Sequence, residues 1–211
     1  MRPFYRLAYN VVGLQLRLHG MTVEGRENVP SGACLIVGNH VSFLDPTTIA
    51  WAVGGELHYL ARRSLFKPPF WSWFLPICNV LPIDKDAHDL SGLRRIIKML
   101  QSGHSVMLFP EGTRSPDGTL QAAEPGAGFI ALKAGVPILP CRVFGTYESL
   151  SRHQKWLRFH PIRVVIGQPY PPTILEGRRG KESYGPVAQE MMDRISALGE
   201  QSPPHECAGR R

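Results

Sequence analysis

A histidine followed five positions later by an aspartate, in Asn39-His40-Val41-Ser42-Phe43-Leu44-Asp45, offers a general base with a carboxylate to orient it. About 70 residues further on, Phe109-Pro110-Glu111-Gly112-Thr113-Arg114-Ser115 supplies a glycine turn, an arginine and a hydroxyl. Those are the groups that hold a phosphate. One segment proposes a proton abstraction and the other an anchor for an anion. They cooperate only if both lie on loops that the fold brings together.

Each segment also has a plainer reading. Asp45-Pro46 before Thr47-Thr48-Ile49-Ala50-Trp51 looks like an N-cap with proline at the first helical position. On a straight helix, five residues rotate a side chain by about 140°, so His40 and Asp45 would not share a face. The chemical reading therefore requires a turn over residues 39–44, between a strand and a helix starting near Asp45. Ala33-Cys34-Leu35-Ile36-Val37-Gly38 reads as that strand, buried and ended by glycine. The plainer reading of the second segment is a polar loop whose Arg114 pairs with Glu111. Strand-end loops are nevertheless where α/β sheets bind ligands, which favours the functional reading.

Short apolar runs alternate with helical patterns along the chain. The expected strands are 33–38, 58–61, 80–83, 105–109, 138–144 and 164–166; the expected helices are 4–18, 46–53, 89–102, 126–134 and 184–198. Nearly continuous apolar strands separated by helices predict a single α/β domain with a largely parallel mixed sheet flanked by helices. This domain is expected over residues 21–198, after an N-terminal amphipathic helix within 1–20 and before a mobile tail, 199–211. In the N-terminal helix Arg6, Asn10, Gly13 and Arg17 form one stripe and almost everything else is apolar. Such a helix either packs on the domain or lies in a bilayer interface. Its flanking arginines favour the interface.

At 211 residues with 43% hydrophobic and 19% charged residues, the composition is that of an ordinary globular domain. A net charge of +7 implies an anionic partner, nucleic acid or an anionic membrane surface. The four cysteines, Cys34, Cys78, Cys141 and Cys207, form no Cys-x-x-Cys pair, which argues for reduced thiols in a cytosolic setting. No secretory signal is evident, and no apolar run reaches the roughly 18 residues of a membrane span.

Asn-His-x-Ser-x-x-Asp followed by Phe-Pro-Glu-Gly-Thr-Arg-Ser resembles the glycerolipid acyltransferase family, and within it the bacterial enzymes that acylate 1-acyl-glycerol-3-phosphate. Two further segments fit, Gly126-Ala127-Gly128-Phe129-Ile130-Ala131 and Val136-Pro137-Ile138-Leu139-Pro140. The resemblance implies acyl transfer from acyl-CoA or acyl carrier protein to a lysophospholipid acceptor, with phosphatidic acid as product. His40 would take the proton of the acceptor hydroxyl and Asp45 would fix the imidazole. Arg114, with Glu111, Gly112, Thr113 and Arg62, would bind the phosphate; Glu111 would orient Arg114 or a hydroxyl. No metal, covalent acyl-enzyme or bound cofactor is required. Phe66, Phe70, Trp71 and Trp73 fall in the family region that contacts the acyl chain. The resemblance also implies a peripheral protein on the cytoplasmic face of an anionic membrane.

Two departures from the family pattern stand out, Cys78-Asn79 where a glycine is common and Ile83-Asp84-Lys85 for Ile-Asp-Arg. They leave the acceptor open: another lysophospholipid, an amino-acid lipid or glycerol-3-phosphate would suit the same fold. A basic nucleic-acid-binding module is the reading from another class, and no binding motif supports it. No nucleic-acid partner is therefore expected.

Overall fold

A computed structural model of the protein describes residues 3–83, 90–173 and 180–199. Seven strands form one sheet: β1 (Thr22–Glu24), β2 (Leu35–Gly38), β3 (His58–Arg62), β4 (Val80–Ile83), β5 (Val106–Leu108), β6 (Ile138–Phe144) and β7 (Arg163–Ile166). Their order is β1-β7-β6-β2-β5-β3-β4. Every pairing is parallel except β6 with β7. The expected largely parallel mixed sheet is what the chain builds. All four residues of β2 are buried, as a strand covered on both faces must be.

Alternation along the strands divides the core in two. Leu35, Val37, Val106 and Leu108 face α4 (Leu90–Gln101), α5 (Pro125–Ala134) and α7 (Tyr184–Ala197). Ile36, Met107, Leu139 and Cys141 face the other way, towards Leu16 of α1 (Pro3–Leu18) and Ile49 of α2 (Asp45–Val53). Cys34 and Cys141 are both buried there as small apolar residues. Gly128 shows why its segment carries glycine. A side-chain carbon at that position would overlap the Tyr184 carbonyl oxygen, so only glycine lets α5 lie against the start of α7.

Among the strands and α-helices, three escaped the sequence reading: β1, α3 (Pro69–Ile77) and α6 (Thr146–Leu150). β1 and α6 are too short to show a period. In α3 the prolines at 69 and 76 disguise a helix; one occupies the first turn, where its missing N–H costs nothing, and the other lies next to the end. Asn79 follows with φ 61°, a left-handed conformation that asparagine tolerates and glycine adopts freely. Asn79 thus makes the left-handed turn that the resemblance led one to expect of a glycine. Asp84 and Lys85, Cys207 and the expected mobile tail beyond Gly199 lie outside the described residues.

The N-terminal helix has two apolar sides. Tyr5 and Leu16 are buried against the domain, whereas Leu7, Val11, Leu14 and Leu18 remain 62–66% exposed in one stripe. Arg6, Asn10 and Arg17 run beside that stripe. Among the described residues, no helix is long and apolar enough to cross a membrane.

Candidate active site

β2 ends at Gly38, and residues 39–44 turn the chain into α2. Asn39 pins the start of the turn to β6: its Nδ2 donates to the Val143 carbonyl at 3.0 Å and its Oδ1 accepts from the Val143 N–H at 2.8 Å. Ser42 closes the middle, donating to the Leu150 carbonyl at 2.7 Å and accepting from the Leu44 N–H at 3.1 Å. With both ends fixed, His40 and Asp45 meet, Nδ1 to Oδ2, at 2.9 Å.

Asp45 is not the N-cap that the sequence suggested. Leu44 holds that position, without a side-chain cap bond, and Asp45 is the first helical residue. Its carboxylate turns back instead, because the Val41 and Ser42 N–H groups donate to Oδ2 at 2.7 and 2.6 Å. The Thr146 hydroxyl donates to Oδ1 at 2.7 Å. Asp45 is fully buried, and a buried carboxylate is tolerable only with donors of this kind. An acceptor at Oδ2 places the imidazole proton on Nδ1 and the free lone pair on Nε2. The ring stacks on Phe109, with centroids 3.9 Å apart and planes 12° from parallel, and its side chain is 18% exposed. Orientation, tautomer and access are therefore all supplied.

The arginine loop, which follows β5, is fastened to this histidine through the main chain. Ser115 N–H donates to the His40 carbonyl at 2.7 Å, and His40 N–H donates to Glu111 Oε1 at 2.8 Å. Gln121 N–H donates to the other Glu111 oxygen at 3.2 Å. Glu111 thus ties two backbones together, which differs from the expected orientation of Arg114. Gly112, at φ 64°, gives the loop a left-handed step that a side chain would strain.

Arg114 lays its guanidinium over the Phe43 ring, 3.5 Å from the centroid. Its Nη1 is buried with no hydrogen-bond partner among the described residues. Arg62 Nη2 donates to the Thr113 hydroxyl at 3.3 Å, and Arg152 Nη1 reaches the Arg114 carbonyl at 3.5 Å. Burial lowers the pKa of Arg114, and the charges of Arg152 and Arg62 lower it further. A bound anion would offset the repulsion among these cations, compensate the burial of the guanidinium and give its donor a partner.

The remaining predicted residues form a separate group. Phe66 ends a 3-10 turn after β3, and Phe70, Trp71 and Trp73 stand on α3 at 40–60% exposure. These three aromatics of α3 pack with one another and with Phe74, and through Trp73 and Phe74 edge-on against Phe4 of α1. The sequence reading missed Thr146 and Arg152. One signal was available for Thr146: it follows the β6 strand end, beside the strand end that carries His40.

Burial pushes the Glu111 carboxyl up to about 7; the His40 and Gln121 N–H groups pull against this and the Asp45 charge adds to it. Between about pH 4.5 and pH 7 the folded protein therefore holds a proton that the unfolded chain has released. The stability this group contributes is full below the unfolded value and is lost as pH rises through about 7. Glu111→Gln lacks that loss. Its stability relative to the parent is expected to improve by about 3 kcal/mol from pH 4 to pH 8, measured by urea unfolding. A flat difference would refute the raised carboxyl.

The chain belongs to the acyltransferase family, whose profile matches residues 20–144. A chloroplastic protein of Brassica napus named 1-acyl-sn-glycerol-3-phosphate acyltransferase BAT2 is 34% identical over 152 residues, 70% of this chain and 44% of its own length. The 1-acyl-sn-glycerol-3-phosphate acyltransferase of Bacillus subtilis (strain 168) is 24% identical over 197 residues, 92% of this chain and 96% of its length. The chain thus spans less than half of the plant relative and nearly all of the bacterial one. The crystal structure of the 1-acyl-sn-glycerophosphate (LPA) acyltransferase PlsC from Thermotoga maritima superposes with a TM-score of 0.71 at 25% identity, over 96% of this chain and 86% of that one.

Proposed function

We propose that the protein moves a fatty acyl group from a thioester, acyl-CoA or acyl carrier protein, to the sn-2 hydroxyl of 1-acyl-glycerol-3-phosphate, giving phosphatidic acid for phospholipid biosynthesis. One observation carries the reading. The histidine of a His–Asp pair has its own N–H and carbonyl bonded into a loop whose arginine has a buried donor with no partner among the described residues. A base and an anion site held on one rigid backbone suit an acceptor that carries both a hydroxyl and a phosphate.

In this mechanism the acceptor phosphate lies against Arg114, Arg62 and the Thr113 hydroxyl. His40 Nε2 takes the hydroxyl proton as the oxygen attacks the thioester carbonyl carbon. The imidazolium so formed is stabilised by Asp45. The tetrahedral intermediate collapses by breaking the carbon–sulfur bond, and the departing thiolate recovers the proton from Nε2. Atoms and charge balance without a covalent enzyme intermediate. We place the protein at the cytoplasmic face of an anionic membrane, with the exposed α1 stripe and the α3 aromatics in the interface and its arginines among the headgroups. The names of the relatives above support the acceptor assignment.

The test is an acceptor screen with one labelled acyl-CoA against lysophosphatidate, other lysophospholipids and glycerol-3-phosphate. Lysophosphatidate is expected to give the highest kcat/KM. Arg114→Ala is expected to raise the KM for that acceptor by about tenfold to a hundredfold and to change kcat little. An equal loss on an acceptor without a phosphate would overturn the phosphate assignment.

A further inference from the structure

Beyond Arg152, the segment between α6 and β7, residues 151–160, supplies no group to the mechanism above, yet it has an unusual surface. Trp156 is 83% exposed, Phe159 69% and Leu157 40%. Arg152, Lys155 and Arg158 are interleaved with them, His153 and His160 flank them, and the segment contains no acidic residue. Large apolar side chains left in water without a structural reason mark an interaction site. Cations placed between them select an anionic partner.

The position of the segment identifies that partner. Its first residues border the site mouth: Arg152 reaches the Arg114 carbonyl, His153 Nε2 lies 3.1 Å from the Pro116 carbonyl, and Ser151 bridges Ser42. Its last residues border the end of α1. The Phe159 ring is 4.9 Å from that of His19, and His19 Nδ1 lies 3.2 Å from the His160 carbonyl. At the other end of α1, Phe4 meets the aromatics of α3. The α1 helix, 16 residues and so about 24 Å long at 1.5 Å per residue, therefore carries its apolar stripe between two exposed aromatic groups.

We propose that the Trp156-Leu157-Phe159 loop is a membrane-insertion element for an anionic lipid leaflet, acting as a second anchor at the end of α1 distant from α3. Trp156, Leu157 and Phe159 enter the acyl–headgroup boundary while Lys155 and Arg158 pair with anionic headgroups. Anchoring at both ends of α1 sets its axis parallel to the bilayer and seats the mouth formed by Phe43, Arg114 and Arg152 beside the headgroups. The acceptor lipid then reaches the site without crossing water. This rests on the lipid acyltransferase reading above and adds to it the element that fixes the docking angle.

The experiment uses the full chain carrying Trp156→Ser, a substitution at a side chain with little packing to lose, and separately Lys155→Glu with Arg158→Glu. Binding is measured by co-sedimentation with vesicles of phosphatidylcholine alone or mixed with phosphatidylglycerol. Trp156→Ser is expected to weaken binding to the mixed vesicles by about tenfold. The charge-reversed variant is expected to lose the preference for phosphatidylglycerol. Turnover of a short-chain, monomeric lysophosphatidate is expected to be unchanged in both, while turnover of the vesicle-borne acceptor falls. Unchanged vesicle binding in Trp156→Ser overturns the proposal, whether or not the KM for acyl carrier protein rises; such a rise would make the loop a protein-docking site instead. Failure of the parent protein to acylate either acceptor would refute the acyltransferase reading, and the vesicle-binding result would still judge the loop.

Discussion

Replacing His40 with alanine is expected to lower acyl transfer by about three orders of magnitude while the protein stays folded. The two main-chain bonds that fasten this residue to the arginine loop, to Glu111 and from Ser115, do not involve its side chain and survive. Asp45 keeps the Val41, Ser42 and Thr146 donors, so its buried charge is not orphaned. What disappears is the nitrogen that accepts the hydroxyl proton, together with the stacking on Phe109. The acceptor phosphate still meets Arg114, so KM is expected to move little and kcat to carry the loss. Residual turnover would reflect positioning alone. The measurement is steady-state kinetics beside a thermal unfolding curve. A folded variant within tenfold of the parent rate would remove His40 from the role of base.

How much of this site could be read from residues alone depends on how local each contact is. The five-residue gap between His40 and Asp45 demanded a strand-to-helix turn, and a turn is present because both partners lie within one connection. The direction of the Asp45 carboxylate was not legible. Aspartate beside proline at a helix start fits an N-cap as well as a backward-facing carboxylate, and the choice is made by the Val41 and Ser42 N–H groups, whose positions depend on the turn's own dihedrals. Thr146 was invisible for a different reason. It is 101 positions from Asp45, and the two meet only because β6 pairs beside β2. Arg152 reaches the Arg114 loop by the same long-range route.

The fold divides along similar lines. Strands β2, β5 and β6 announce themselves as apolar runs because both faces are covered, and α4 and α7 show a helical period because one face is. β1 is three residues long, and it becomes a strand only by pairing with β7 at the edge of the sheet. The aromatic run of α3 has no polar face to betray a period, since its outer side is itself aromatic. That same property makes α3 informative about function. A helix with Phe70 and Trp73 at about 60% exposure expects something other than water on its outside.

Asp45→Asn is expected to lower kcat by about a hundredfold, equivalent to roughly 3 kcal/mol of transition-state stabilisation, without unfolding the protein. The asparagine can keep every hydrogen bond. Its amide oxygen can replace Oδ2 and accept from Val41, Ser42 and His40 Nδ1, while its NH2 donates to the Thr146 hydroxyl, which then turns from donor to acceptor. The opposite flip would aim the NH2 at two backbone N–H groups and is disfavoured, so the imidazole retains its tautomer. Only the negative charge is lost, and with it the stabilisation of the imidazolium that forms as the hydroxyl proton arrives. Thr146→Val makes the complementary change: it removes one donor from Oδ1 and keeps the charge, so its kcat is expected to fall by less. If Asp45→Asn retained the parent rate, the carboxylate would be a structural clamp on the turn and nothing more. If Thr146→Val lost as much as Asp45→Asn, the hydrogen bond rather than the charge would be what tunes His40.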